Sequence, residues 1–252
     1  RRKRLTPNWQ LKLYRNEAGL RHVSMIHEAI TSSEIRAVTG RKLGRLPVLI
    51  EHEGYDGDMQ SRHSRNFPLL LQRLESEPDS PAKAHIWCHL ADIHEDLGRP
   101  VSALRARKHA LNLLRQKGRL HPSDCPPYLH ILTARAARGE PIDSLFREAS
   151  EQFPENLQLL WIRGRWLMTR GRYKEAIPAF QQLIAHGENR DYGHWVGYDR
   201  RLFDIFSWQS LADCHAGLGN REESAGYRRL ARDRSASGRS DENNAERRGS
   251  RI

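Results

Sequence analysis

The hydrophobic pattern changes character near residue 57. Before that point, short stretches alternate. Leu11 and Leu13 share one face, as do Val23 and Met25, then Val48, Ile50 and His52. A period of two predicts two or three short strands, with turns at Asn16 to Gly19, around Gly44 and at Gly54. After it, apolar positions recur at helical spacing. Met59, His63, Leu70, Leu71 and Leu74 fit a helical region that Pro68 either kinks or, with Asn66 as cap, restarts. Glu77-Pro78-Asp79-Ser80-Pro81 breaks it. From Ala82 one arrangement keeps returning. Trp87-x-x-Leu90-Ala91-x-x-His94-x-x-x-Gly98 is followed by Ala103 and Ala110. Trp208-x-x-Leu211-Ala212-x-x-His215-x-x-x-Gly219 is followed by Ala231. Between them lie Leu160, Gly164, Gly171, Tyr173, Ala176 and Phe180, and a looser copy through Tyr128, Ile131, Gly139 and Ile142.

These residue types and spacings resemble the tetratricopeptide repeat, a helix–turn–helix unit of about 34 residues. Small residues such as Ala91, Gly164 and Ala212 let two helices approach closely, and Leu132 stands where the second copy should have one. Gly98, Gly139, Gly171 and Gly219 fall where the chain turns between helices. Trp87, Leu90, Tyr173, Ala176, Trp208 and Leu211 are expected to pack within and between copies, with both tryptophans buried. Four copies exceed the roughly three that a stable stack needs. The surplus length falls in two loops, 118–127 and 186–200, the second carrying Tyr192, His194, Trp195 and Tyr198. Packing of those aromatics over the edge of the stack is the favoured reading, and a binding role is the other.

Composition adds limits. No segment approaches the roughly 18 apolar residues of a membrane span. Cys88, Cys125 and Cys214 are too far apart for a disulfide framework or paired zinc ligands, which suits a reducing, cytoplasmic setting. The net charge of +11 is concentrated at the start: residues 1–50 hold 11 Lys/Arg against 3 Asp/Glu. A basic end suits either an anionic partner or a merely solvated, arginine-rich tail; no nucleic-acid signature accompanies it, and nucleic acid is not expected as a partner. From residue 232 the chain is Arg, Ser, Asn and acidic residues without an apolar pattern, which predicts disorder.

A second resemblance lies in the order of motifs at the start. Leu13-Tyr14-Arg15-Asn16, Ile26-His27-Glu28, Ile50-Glu51-His52-Glu53-Gly54-Tyr55 and Arg65-Asn66 follow one another. This is similar to the C-terminal end of a bacterial family 2 glycosyltransferase catalytic domain that runs into tetratricopeptide repeats. Here Leu-Tyr replaces the family's Leu-Phe, and Arg62 stands where its Lys would be. The resemblance implies a GT-A nucleotide-binding α/β domain. It also implies sugar transfer from a nucleotide-sugar to an acceptor hydroxyl with inversion, aided by Mg²⁺ or Mn²⁺. By the same resemblance, His27 approaches the metal or diphosphate, His52 and Tyr55 lie near the diphosphate, and Glu28 orients His27 or faces the acceptor. The alternative is that these are structural residues at strand ends. Asp56-Gly57-Asp58 spells a metal motif but comes after the H-x-G-Y segment, so it is set aside. Thr31 rather than His rules out a zinc-protease helix at His27-Glu28.

The expected fold is therefore mainly α. A tetratricopeptide-like solenoid at 82–231 follows a catalytic-domain remnant at 1–56 and a linking helix at 57–81, and a disordered tail follows at 232–252. No nucleotide-recognising acidic residue or D-x-D precedes the motifs, so the 252-residue chain alone is expected to be inactive, with catalysis belonging to an intact parent. Two functions remain open: the C-terminal part of a glycosyltransferase, or a non-enzymatic repeat adaptor that grips a peptide or protein.

Overall fold

The computed structural model describes residues 59–78, 80–189, 192 and 196–249, with positions 37 and 40 in isolation, and the side chains of these up to residue 235. They divide into two compact units, one ending at Leu120 and the other beginning at His121. Among the described residues every regular element is a helix. The strands expected before residue 57, and the α/β remnant built on them, lie outside the described residues, as do His27, Glu28, His52 and Tyr55.

In the first unit, α1 (Met59–Ser76) leads through a 3-10 turn (Pro81–Lys83) to α2 (Ala84–Asp96) and α3 (Pro100–Leu114). α1 is one helix with Pro68 inside it, so Asn66 is not a cap; its Oδ1 accepts from Arg65 Nε at 3.0 Å. Leu70 of α1 joins Ile86, Leu90 and Ile93 of α2 in a buried cluster, bordered by Phe67, Leu69, Leu74 and Trp87. Leu71, expected on the same face, points outward. Polar contacts tie the helices together as well. Arg73 Nε donates to Glu77 Oε1 at 2.7 Å while its Nη2 lies 3.1 Å from His85 Nε2. His63 Nε2 lies 3.0 Å from Asp96 Oδ2.

The second unit holds three helix pairs: α4 (Pro126–Ala137) with α5 (Asp143–Gln152), α6 (Leu157–Thr169) with α7 (Tyr173–Asn189), and α8 (Ser207–Gly217) with α9 (Arg221–Gly249). α4 packs on α6 and α6 touches α8, so the first helices of the pairs form a row. Helix persists through 232–249, where the composition predicted a disordered tail.

One turn closes all four pairs. Gly98, Gly139, Gly171 and Gly219 have φ of +68°, +66°, +69° and +82°. The residue after each glycine donates its N–H five positions back: Arg99 to His94, Glu140 to Arg135, Arg172 to Leu167 and Asn220 to His215, at 2.8–3.0 Å. This is the Schellman closure, which satisfies the last carbonyls of a helix and requires a left-handed residue that only glycine adopts without strain.

Close approach needs small residues at two further points. A methyl added to Gly164 would lie 2.6 Å from Phe180 Cζ, within the α6–α7 pair. One added to Gly217 would lie 2.3 Å from Tyr173 Cε2, in the seam between that pair and the next. Ala91, Ala176 and Ala212 are fully buried, as are Leu90 and Leu211. The tryptophans depart from expectation. Trp87 and Trp208 are only partly buried, and each stacks on the second helix of its own pair. Trp87 lies 4.8 Å from the His109 ring, and Trp208 lies 5.9 Å from Tyr227 with Arg234 over its face at 5.0 Å.

Burial governs the thiols. Loss of solvation pushes Cys125 up to about 12 and Cys214 up to about 11. Both side chains are inaccessible, whereas Cys88 is half-buried. A thiol reagent is expected to modify Cys88 in the native chain, and the other two only after denaturant is added. Because the folded state holds these protons more tightly than the unfolded chain, stability falls as pH rises from about 9 towards 12. Cys125→Ser and Cys214→Ser are expected to flatten that slope in denaturant titrations at successive pH values.

Candidate protein-interaction surface

The row of first helices carries a line of aromatic and arginine side chains between α6 and α8. Its geometry begins with local capping. Asn156 Oδ1 accepts from Gln158 N at 3.0 Å, and Tyr198 Oη accepts from Leu157 N at 3.2 Å. Two of the orphan N–H groups that begin α6 are thereby satisfied. Tyr198 is buried and packs edge-on to Phe203, while Tyr192 lies 4.8 Å from the same ring. Desolvation raises the Tyr198 hydroxyl above its ordinary value. Two of the four aromatics of the 186–200 loop thus pack onto the stack. His194 and Trp195 lie outside the described residues.

The chain then enters α8 through a π-helical turn, Leu202–Phe206. Ser207, fully buried, donates its Oγ to Leu202 O at 2.6 Å, across the width of this turn. The extra residue in this turn aims Phe206 at Trp161 of α6, ring to ring at 6.1 Å. Trp161 rests on Phe180 at 5.6 Å, and Arg165 lies over its ring at 5.7 Å. Arg201 caps Phe206 at 5.2 Å and is itself fixed by Asp199, whose Oδ1 accepts from both its N and Nε at 3.0 Å. The result is a partly exposed ladder, Arg165–Trp161–Phe206–Arg201, that spans two successive pairs. Guanidinium groups over aromatic faces offer both apolar contact and hydrogen-bond donors.

The pair before it is held from the same row. Trp166 Nε1 donates to Glu140 O at 3.1 Å, and Arg170 Nη2 donates to Gly139 O at 3.3 Å while its guanidinium covers Trp166 at 4.7 Å. Within the first unit, Arg107 of α3 is buried against two carboxylates of α2, Asp92 at 3.3 Å and Glu95. No group of three or more possible metal-ligating side chains occurs among the described residues. No described helix is long and apolar enough to cross a membrane.

Of the positions singled out from sequence, the repeat residues Trp87, Leu90, Ala91, Gly98, Gly164, Gly171, Tyr173, Ala176, Trp208, Leu211, Ala212 and Gly219 stand at helix contacts or turns. None of them belongs to the ladder. Trp161, Arg165, Arg201 and Phe206 were not visible as a site, because the element that joins them is an irregular turn.

No known protein family matches the chain, and no curated protein sequence matches it. Solved structures that share its fold include two of MamA. MamA of AMB-1 is 17% identical, with a TM-score of 0.51 over 70% of this chain and 92% of that one. A second structure of MamA is 15% identical, with a TM-score of 0.51 over 73% of this chain and 98% of that one. The described part of the chain therefore has a tetratricopeptide-like helical-repeat fold.

Proposed function

We propose that the chain is a protein-interaction module whose row of first helices binds a peptide or protein segment. The ladder on α6 and the π-helical entry to α8 is the observation that carries this reading. It places two partly exposed aromatic rings and two arginines on one line across consecutive pairs, the mixture enriched at the centres of protein interfaces. Fold likeness to MamA supports the architecture, and architecture alone does not give function. The test uses peptides selected from a displayed random library on the full chain. Arg165→Glu is expected to weaken a selected peptide about tenfold, as for a charged contact. Arg147→Ala, on the exposed face of α5, should leave binding unchanged. Recovery of no peptide, or equal losses at both positions, counts against the module.

A glycosyltransferase parent is the second reading, favoured by the order of the motifs at residues 13–16, 26–28, 50–55 and 65–66. In it residues 1–56 close a catalytic domain that uses a nucleotide-sugar with Mg²⁺ or Mn²⁺. His27, His52 and Tyr55 would lie near the diphosphate, with Glu28 beside His27 or the acceptor. Arg65 and Asn66 are the only residues of those motifs among the described ones, and they begin no helix. The comparisons supply nothing for this reading. Metal-dependent turnover of a nucleotide-sugar by the chain, lost in His27→Ala, would raise it above the module.

A further inference from the structure

The first and last helix pairs share a set of residues at one spacing, and a difference within it leaves an arginine of the last pair short of a carboxylate. Trp87, Ala91, Asp92, His94, Gly98 and Arg107 correspond at a constant offset to Trp208, Ala212, Asp213, His215, Gly219 and Arg228. In the first pair the Arg107 side chain is only 7% exposed and is held by two carboxylates of the facing helix, Asp92 and Glu95. In the last pair the position of Glu95 is taken by Ala216. Arg228 keeps only Asp213, at 3.9 Å, and its side chain is 59% exposed. The same fold position is thus saturated with carboxylate in one copy and short of one in the other.

Around Arg228 the surface is built for more than one anion. A groove of about 690 Å³ runs along α8 and α9, walled by Arg221, Arg228, Arg229 and Arg232. Small side chains, Ala216, Ser224, Ala225 and Ala231, form much of the remaining lining and leave the guanidinium groups accessible. Arg221, Arg229 and Arg232 pair with no carboxylate among the described residues. Guanidinium groups accept carboxylates in bidentate geometry, and several at once suit a run of acidic side chains.

Resting on the module reading, we propose that this groove binds an acidic, Asp/Glu-rich segment of a partner protein. A carboxylate of that segment takes, beside Arg228, the place that Glu95 takes beside Arg107. Its contacts are distinct from the ladder, so the two surfaces can be broken separately.

The experiment titrates the full chain with a fluorescein-labelled decapeptide of alternating Glu and Asp and reads anisotropy. Ala216→Glu restores the internal carboxylate and is expected to weaken binding about tenfold or more. Ala216→Gln, of the same size without charge, should bind nearly as the parent does, and thermal unfolding establishes that both variants fold. Binding should also weaken as salt rises, since the arginines are exposed. Absence of decapeptide binding, equal binding by Ala216→Glu and the parent, or tighter binding of a single-stranded DNA of equal charge would each overturn the proposal. Failure here leaves the module standing if library-selected peptides still bind and still depend on Arg165. Failure to recover any library peptide sinks the module itself.

Discussion

Phe180→Ala is expected to destabilise the second unit by about 3–5 kcal/mol, the usual cost of truncating a buried aromatic. Phe180 is fully buried, lies against Trp161, and occupies the space that the missing side chain of Gly164 leaves open. Two contacts with α6 are lost at once, one at Gly164 and one under Trp161 of the ladder. The reciprocal change overpacks the same site. Gly164→Ala puts a methyl within 2.6 Å of the Phe180 ring and is expected to cost about 1–3 kcal/mol. The two changes must then be coupled: Gly164→Ala should cost less in a Phe180→Leu background than in the parent. Urea unfolding of the single and double variants measures this. Additive effects would mean that the ring and the glycine do not face each other.

In the first unit the largest effect is expected at Leu90. Leu90→Ala removes the centre of the cluster formed with Leu70, Ile86 and Ile93, at about 2–5 kcal/mol. Because Leu70 comes from α1, the loss should loosen α1 from α2 and not merely soften α2. Faster amide exchange in both helices, read by mass spectrometry, is the expected result. A change confined to α2 would show that α1 docks by its polar contacts, Arg73 to His85 and His63 to Asp96, instead.

Much of this architecture was legible because it rests on residues with few substitutes. A left-handed turn residue is almost obligatorily glycine, so Gly98, Gly139, Gly171 and Gly219 marked the four turns. Buried small residues at a fixed distance before them marked the helix contacts. Tryptophan was a poorer guide. A large ring is placed where it can cover surface as readily as where it is enclosed, and Trp87 and Trp208 lie over the flank of their pairs. Pro68 was ambiguous for a related reason: proline disfavours a helix interior, but packing of Leu70 and its neighbours outweighs the missing hydrogen bond.

The candidate surface was less visible. Trp161 reads from sequence as one more apolar helix position, and Phe206 follows a loop of irregular composition. Only the π-helical turn, closed by Ser207, brings them together, and such a turn has no periodic signature. Arg107 and Arg228 were likewise hidden, since a basic residue on a helix reads as solvated until its partners are seen. The near repetition of Leu90-Ala91-Asp92 as Leu211-Ala212-Asp213 was the available signal, and comparing the two copies residue by residue would have isolated Glu95 against Ala216.

Hydrogen exchange on the full chain, with and without a library-selected peptide, tests the central claim most directly. The account predicts added protection on peptide binding across 157–169 and 202–217, where α6 and the π-helical entry to α8 carry the ladder. No added protection there with any selected peptide, together with protection within residues 11–55 on adding a nucleotide-sugar and Mg²⁺ or Mn²⁺, would contradict it.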